Sequence, residues 1–260
     1  MIITNRNQYK PFAGTTQRWC GTDREPVWKK NQLIPIHRES LARLGWTEDS
    51  VSYRFNSQAF RSDEFDGNGV MFFGCSFTMG IGMTWENTWA YQVAKALDTK
   101  CWNLGIGGGS HDTCFRNAQE WIPQLKPSRV FVLSPPINRI ELLSDVYPLS
   151  DGIKHYVPGF ADECSYYAQW LMDDLNSELN KMKNLYGIAF ICEKHNIPMH
   201  HMEVPPNPVN GDMGRDLLHQ GRLWHNKVAE IALDQVKKEL TFSPNLLGCN
   251  SSEKRESDSL

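Results

Sequence analysis

Val70-Met71-Phe72-Phe73-Gly74-Cys75-Ser76-Phe77-Thr78-Met79-Gly80 is the stretch from which the rest of the chain can be read. Four consecutive apolar residues ending at a glycine read as a short strand buried on both faces, as in a parallel sheet. Gly74 lets the chain turn sharply, which leaves Ser76 at the tip of the strand. A serine there has a fixed backbone and an exposed hydroxyl, which suits a nucleophile. The plainer reading is a turn serine or a helix N-cap, which is how most strand-end serines behave. Cys75 has no adjacent charged partner and reads as an inert, buried thiol.

Beyond this stretch, strand-like and helix-like segments alternate. Residues 101–104, 129–133 and 198–204 read as further strands, and helices are expected over 86–97, 113–125 and 222–240. Residues 162–195 read as one long helical stretch with a break near Gly187. Such alternation calls for a parallel sheet with helices on both faces. Upstream, 35–46 reads as one helix and 52–56 alternates like a short strand. The expected organisation is an N-terminal extension over 1–65 packing on the domain, an α/β domain over 66–240, and a disordered polar tail over 241–260.

Composition narrows the function. The chain has 260 residues, of which 40% are hydrophobic and 22% charged, with a net charge of −3. These values fit a soluble globular protein, and with no basic stripe they argue against a nucleic-acid partner. No apolar run is long enough to span a membrane, and the first residues lack the apolar core of a signal peptide, so a cytoplasmic location is expected, with export without a cleaved signal as the alternative. The seven cysteines are odd in number and contain no C-x-x-C pair, which reads as reduced thiols rather than a disulfide framework or a zinc site. Nothing in the sequence fixes an oligomeric state.

Chemistry-bearing residues cluster after the expected strands. Ser76, the glycines 105–109, the 134–138 loop and the 205–219 loop would all lie at the carboxyl ends of the strands, where ligands bind in open parallel sheets. Gly105-Ile106-Gly107-Gly108-Gly109-Ser110 begins like a nucleotide loop, but Ser110 replaces the last glycine and no acidic residue follows where one is required. Asp216 and His219 form a D-x-x-H pair before the last helix. It reads either as an orienting carboxylate with its base or as a helix-start Asp with a surface His. His200 and His201 are adjacent in a strand and point to opposite faces, so they cannot share an ion; no metal and no cofactor are expected. His225 remains a further histidine of the last helix. Arg139 and Glu141 read as a structural ion pair, or Arg139 as the binder of an acidic substrate group. Trp85, Trp89, Trp102 and Trp121 read as a sugar-site wall or as core.

In combination these motifs resemble those of the SGNH (GDSL-type) hydrolases. Residues 74–80 are similar to the family's G-D-S-x-T-x-G, with Cys75 in place of the Asp. Residues 103–108 are similar to N-x-(G/S)-x-x-G, and 216–219 to D-x-x-H. The third motif, G-x-N-D, has only Asn138 as a counterpart, about one position late and without the glycine or the Asp; a plain loop asparagine is the other reading. Residues 54–61 look like the R-x-N-x-x-G-F-R segment of many bacterial and phage-type members, with Ala59 at the glycine. Residues 1–50 have no counterpart.

The resemblance implies a flavodoxin-like, three-layer α/β/α sandwich with a central parallel sheet. It implies a serine esterase for a small-molecule or carbohydrate ester, such as a glycan O-acetyl or short acyl ester. Ser76 would be the nucleophile, His219 the base and Asp216 its orienting group. The Ser76 and Gly108 N–H groups would hold the oxyanion, with Asn138 as a third donor. Three rivals stand beside this reading: a non-catalytic binding protein of the same fold, an acyltransferase using the same residues, and a nucleotide-binding protein.

Overall fold

The computed structural model describes residues 7–143, 153–157 and 173–242. Its N-terminal segment holds more regular structure than the sequence suggests. Thr16–Gln17 (β1) pairs antiparallel with Tyr53–Arg54 (β2), and two helices, Glu25–Leu33 (α1) and Pro35–Arg43 (α2), lie between them in the chain. The sequence pattern alone suggests one helix here. Pro35 explains the second boundary: it holds Ile34 extended, which ends α1, and it then opens α2, where its missing N–H costs nothing.

Gly69–Phe73 (β3) leads into the one-turn helix Ser76–Met79 (α3), then Trp89–Ala96 (α4), Lys100–Asn103 (β4), His111–Leu125 (α5) and Arg129–Leu133 (β5). A hairpin of Ile140–Leu143 (β6) and Ile153–Tyr156 (β7) comes next, followed by Asp174–Lys194 (α6), Met199–Met202 (β8) and Arg222–Lys237 (α7). Strands β4, β3, β5 and β8 lie side by side in that order, all parallel. Alternation along β5 divides the core. Val130 and Val132 join the cluster with α5, α6 and the N-terminal segment, while Phe131 and Leu133 face α4 and α7. The expected α/β/α layering is what the chain adopts.

Capping side chains set several helix limits. The Thr88 hydroxyl accepts from Tyr91 N, so α4 starts later than its apolar pattern suggests. Ser110 and Thr113 form a capping box, which moves the start of α5 forward to His111. Helix α6 runs unbroken through Gly187, which packs against the Phe115 ring of α5. The earlier part of the expected long helix, 162–172, lies outside the described residues, as do 243–260 of the expected tail. Trp89, Trp102 and Trp121 are buried in the core, so they do not wall a sugar site; Trp85 is half-buried. Cys20, Cys75, Cys101, Cys114 and Cys192 are free and buried. Among the described residues no helix is long and apolar enough to cross a membrane.

Candidate active site

Ser76 opens α3 directly after the central strand β3. The turn is held from both ends: Thr78 N and Met79 N each donate to Cys75 O at 3.0 Å, and Gly80 N donates to Ser76 O at 2.9 Å. Arg61, buried beneath it, caps the carbonyls at the far end, with Nη1 donating to Gly80 O at 2.5 Å and Nη2 to Met83 O at 2.8 Å. Asn103 Nδ2 donates to Thr78 O at 2.7 Å, and Ile106 N to Gly74 O at 3.2 Å. Those bonds bind the 105–109 glycine loop to the serine turn. The Ser76 hydroxyl itself makes no hydrogen bond among the described residues, and neither the Ser76 N–H nor the Gly108 N–H donates one there.

Asp216 and His219 come together as a dyad. His219 Nδ1 lies 2.7 Å from Asp216 Oδ2, and Asp216 Oδ1 accepts from the backbone N–H of Leu218 at 3.1 Å and of His219 at 3.0 Å. Thr22 is a member that the sequence does not reveal: its Oγ1 donates to the same Asp216 Oδ2 at 2.6 Å and lies 3.3 Å from His219 Nδ1. Burial pushes the Asp216 carboxyl up, but the hydrogen bonds from His219 and Thr22 outweigh it and hold it below the ordinary carboxylate range.

The dyad loop docks directly on the serine turn. Arg215 N donates to Gly82 O at 2.8 Å, and a Cβ on Gly82 would stand 3.0 Å from Asp216 Oδ1. A side chain at 82 would push the two apart; glycine also tolerates the φ of +78° found there. Phe77, next to Ser76, sets its ring edge-on to the His219 ring at 5.7 Å. Arg215 anchors the loop to the N-terminal segment, with Nη2 donating to Asp23 Oδ2 at 2.7 Å and Nη1 to Glu48 O at 2.6 Å. Ser76 and His219 share no hydrogen bond.

Gly108 has a φ of +76°, and the nearest atoms to a Cβ there would be Val157 Cγ2 at 3.6 Å and His155 Cβ at 3.7 Å. The β6–β7 hairpin thus borders the glycine loop. Asn138 is half-buried in the turn after Pro136 and makes no hydrogen bond among the described residues. The expected Arg139–Glu141 ion pair does not form. Glu141 instead accepts from Arg116 Nε at 2.5 Å and Nη2 at 3.0 Å. Strand geometry turns Glu141 towards α5, where a buried guanidinium needs a carboxylate.

Four other histidines are engaged elsewhere. His225 Nδ1 accepts from Trp89 N at 3.2 Å, which satisfies the first turn of α4, and burial takes its pKa down to about 3. His200 stacks on Phe131 and pairs with Leu240 O at 2.8 Å, while His201 points to the opposite face and meets Ser134 Oγ at 2.8 Å. His111 Nε2 reaches the same Ser134 hydroxyl at 3.2 Å, and burial lowers its pKa to about 3.

No protein-family model matches the chain, and no curated protein matches it. Among solved structures, the chain is similar to the psychrotrophic esterase EstA from Pseudoalteromonas sp., with 14% identity over 67% of this chain and 99% of that one and a TM-score of 0.43. It is also similar to AlinE4, an SGNH-hydrolase family esterase (13% identity, 71% and 85% covered, TM-score 0.35). The acetyl xylan esterase Est2A from the rumen bacterium Butyrivibrio proteoclasticus is a third, with 15% identity, 67% and 64% covered, and a TM-score of 0.38.

Proposed function

We propose that the protein is a serine ester hydrolase of SGNH type, acting on an ester such as a glycan O-acetyl or a short acyl ester. The observation that carries the reading is the Asp216–His219 pair at 2.7 Å, locked by Thr22 and docked through Gly82 against the turn that bears Ser76. A carboxylate on Nδ1 fixes the tautomer that leaves Nε2 free to accept a proton, which is what a general base for a serine requires.

In this reading Ser76 Oγ attacks the acyl carbon and its proton passes to His219 Nε2. Asp216 balances the imidazolium charge. The N–H groups of Ser76 and Gly108, both uncommitted among the described residues, receive the oxyanion. The Asn138 amide, likewise without a partner among them, supplies a third donor. Collapse returns the proton to the departing alkoxide; water then repeats the sequence on the acyl-enzyme. A serine–histidine contact that is loose in the free enzyme tightens when substrate fills the site.

The test is direct. A fluorophosphonate should label Ser76, and Ser76→Ala should lose nearly all hydrolysis of 4-nitrophenyl acetate while keeping its circular dichroism spectrum. Full activity in Ser76→Ala, or a label on another serine, overturns the proposal.

A further inference from the structure

Three buried arginines are held by protein acceptors, although Arg61 Nε has no partner among the described residues. Arg61 donates to four carbonyls, Arg215 to Asp23 and three carbonyls, and Arg116 grips both oxygens of Glu141. Arg139 differs. It makes no hydrogen bond or ion pair among the described residues, and its Nη1 is buried there without a partner. The carboxylate that sequence proximity would give it, Glu141, is taken by Arg116. Arg139 is half-buried, so its guanidinium keeps a partly solvated charge and open donors on the loop after β5, where an anion arriving from outside can engage them.

A second unpartnered group lies nearby. His155 Nε2 is buried with no hydrogen-bond partner among the described residues, while its Nδ1 faces Thr113 Oγ1 at 3.4 Å and Glu141 Oε2 at 3.8 Å. Burial lowers the His155 pKa despite Glu141, and the charges of Arg116 and Arg139 add to that effect. The neutral ring keeps its proton on Nδ1, towards those two oxygens, and offers a lone pair at Nε2. His155 also borders Gly108, whose N–H is one of the oxyanion donors of the proposed mechanism.

Resting on the ester-hydrolase reading for where the substrate lies, we infer that Arg139 and His155 form a subsite for a carboxylate-bearing ester. The carboxylate accepts from Arg139 Nη1, and a hydroxyl beside it donates to His155 Nε2. A phosphate dianion fits this pair less well, because the imidazole lone pair at Nε2 repels it.

The experiment compares 4-nitrophenyl hexanoate with the mono-4-nitrophenyl ester of adipate, which differs in carrying a carboxylate at the chain end. The wild-type protein should favour the adipate ester by at least about tenfold in kcat/KM. Arg139→Gln should reduce that ratio to near one, and Arg139→Lys should restore part of it. A ratio of substrates cancels any general loss of activity in a variant. No preference in the wild type, or a preference kept in Arg139→Gln, overturns the subsite. Calorimetric titration with adipate separates this from the catalytic reading, since it needs no turnover. Should the wild type neither hydrolyse esters nor react with a fluorophosphonate, adipate binding at least about tenfold weaker in Arg139→Gln still supports the subsite, and equal binding overturns it. Inorganic phosphate binding more tightly than adipate would overturn the carboxylate assignment.

Discussion

The 211–221 loop and the β6–β7 hairpin with its leading turn contrast in how their polar groups are satisfied. In the loop, Asp212 accepts from Trp224 N, Arg215 holds Asp23, and Asp216 accepts from Thr22 and from two backbone amides and pairs with His219. In the hairpin region Asn138 makes no hydrogen bond among the described residues, and Arg139 Nη1 and His155 Nε2 are buried without partners there. A base and its orienting carboxylate, the roles proposed for His219 and Asp216, gain from being held by the protein before substrate arrives, since preorganised dipoles need no reorganisation during reaction. Groups that would meet the substrate itself, the Asn138 amide proposed for the oxyanion as well as the subsite pair, must keep their valences open. The contrast therefore divides a dyad loop held by the protein from a hairpin region left open to a ligand.

The harshest way to break this division is to disturb the fixed side. Asp216→Asn keeps the shape but offers an amide where His219 Nδ1 needs an acceptor, so the ring loses its tautomer. Turnover of 4-nitrophenyl acetate should fall by about 10⁴, with KM little changed. A loss of only severalfold would show that His219 is oriented by something other than Asp216. On the open side, Asn138→Ala should lower kcat by about 10² to 10³, the usual effect of removing one oxyanion donor. A loss of about threefold or less would make Asn138 an ordinary loop residue and leave two backbone donors in the hole.

A milder test keeps the dyad and removes its support. Thr22→Val deletes a donor to a buried, charged carboxylate, a bond of about 1.5–3 kcal/mol. The Asp216 carboxyl sits below its ordinary value in the folded protein, in part because of Thr22. Such a group stabilises the fold above the unfolded pKa of about 4, and that stability is lost as pH falls through the lower, folded pKa. Thr22→Val should therefore be less stable than the wild type in urea at pH 7, and the gap should shrink below about pH 4. Thr22→Ser should stay near the wild type. An equal gap at neutral pH and at about pH 3 would mean that Thr22 contributes packing and no electrostatic support.

The regular and local features of this molecule are legible in its sequence. Val70–Phe73 announces a central strand because both of its faces are apolar, and Asp216 and His219 fall three residues apart because one loop carries both. Long-range partners are not legible. Thr22 lies 194 residues from Asp216, and Asp23 lies 192 from Arg215; nothing in either segment names the other. Helix α1 is hidden because only Trp28 and Asn31 are buried along it, too few to set a period. Proximity pairs Arg139 with Glu141, yet alternation in β6 sends Glu141 to Arg116, and tertiary packing overrules the local pairing. The hairpin itself leaves little trace because Leu142 and Leu143 are both exposed, which hides any alternation.

The smallest effect tests how much strain the supporting side carries. Ala59 stands where the R-x-N-x-x-G-F-R pattern has glycine, and its φ is +65°, the left-handed region that an L-residue occupies at a cost of about 1–2 kcal/mol. The turn is held in that shape: Asn56 Oδ1 accepts from Gln58 N and Phe60 N, and Asn7 Nδ2 donates to Ala59 O at 2.8 Å. Ala59→Gly relieves the strain but frees the unfolded chain, at about 0.4–1 kcal/mol. It also gives up a buried methyl group, worth about 0.8 kcal/mol. These terms nearly cancel, so the stability change should lie within about 0.5 kcal/mol of zero. Ala59→Val separates strain from burial, because it adds apolar volume while placing a β-branched residue at positive φ. That variant should lose about 2 kcal/mol or more in urea unfolding. Some activity should go with it, since Phe60 and Arg61 follow directly and Arg61 caps the serine turn. An Ala59→Val protein as stable as the wild type would show that the turn relaxes freely and that the N-terminal segment lends the serine no rigidity.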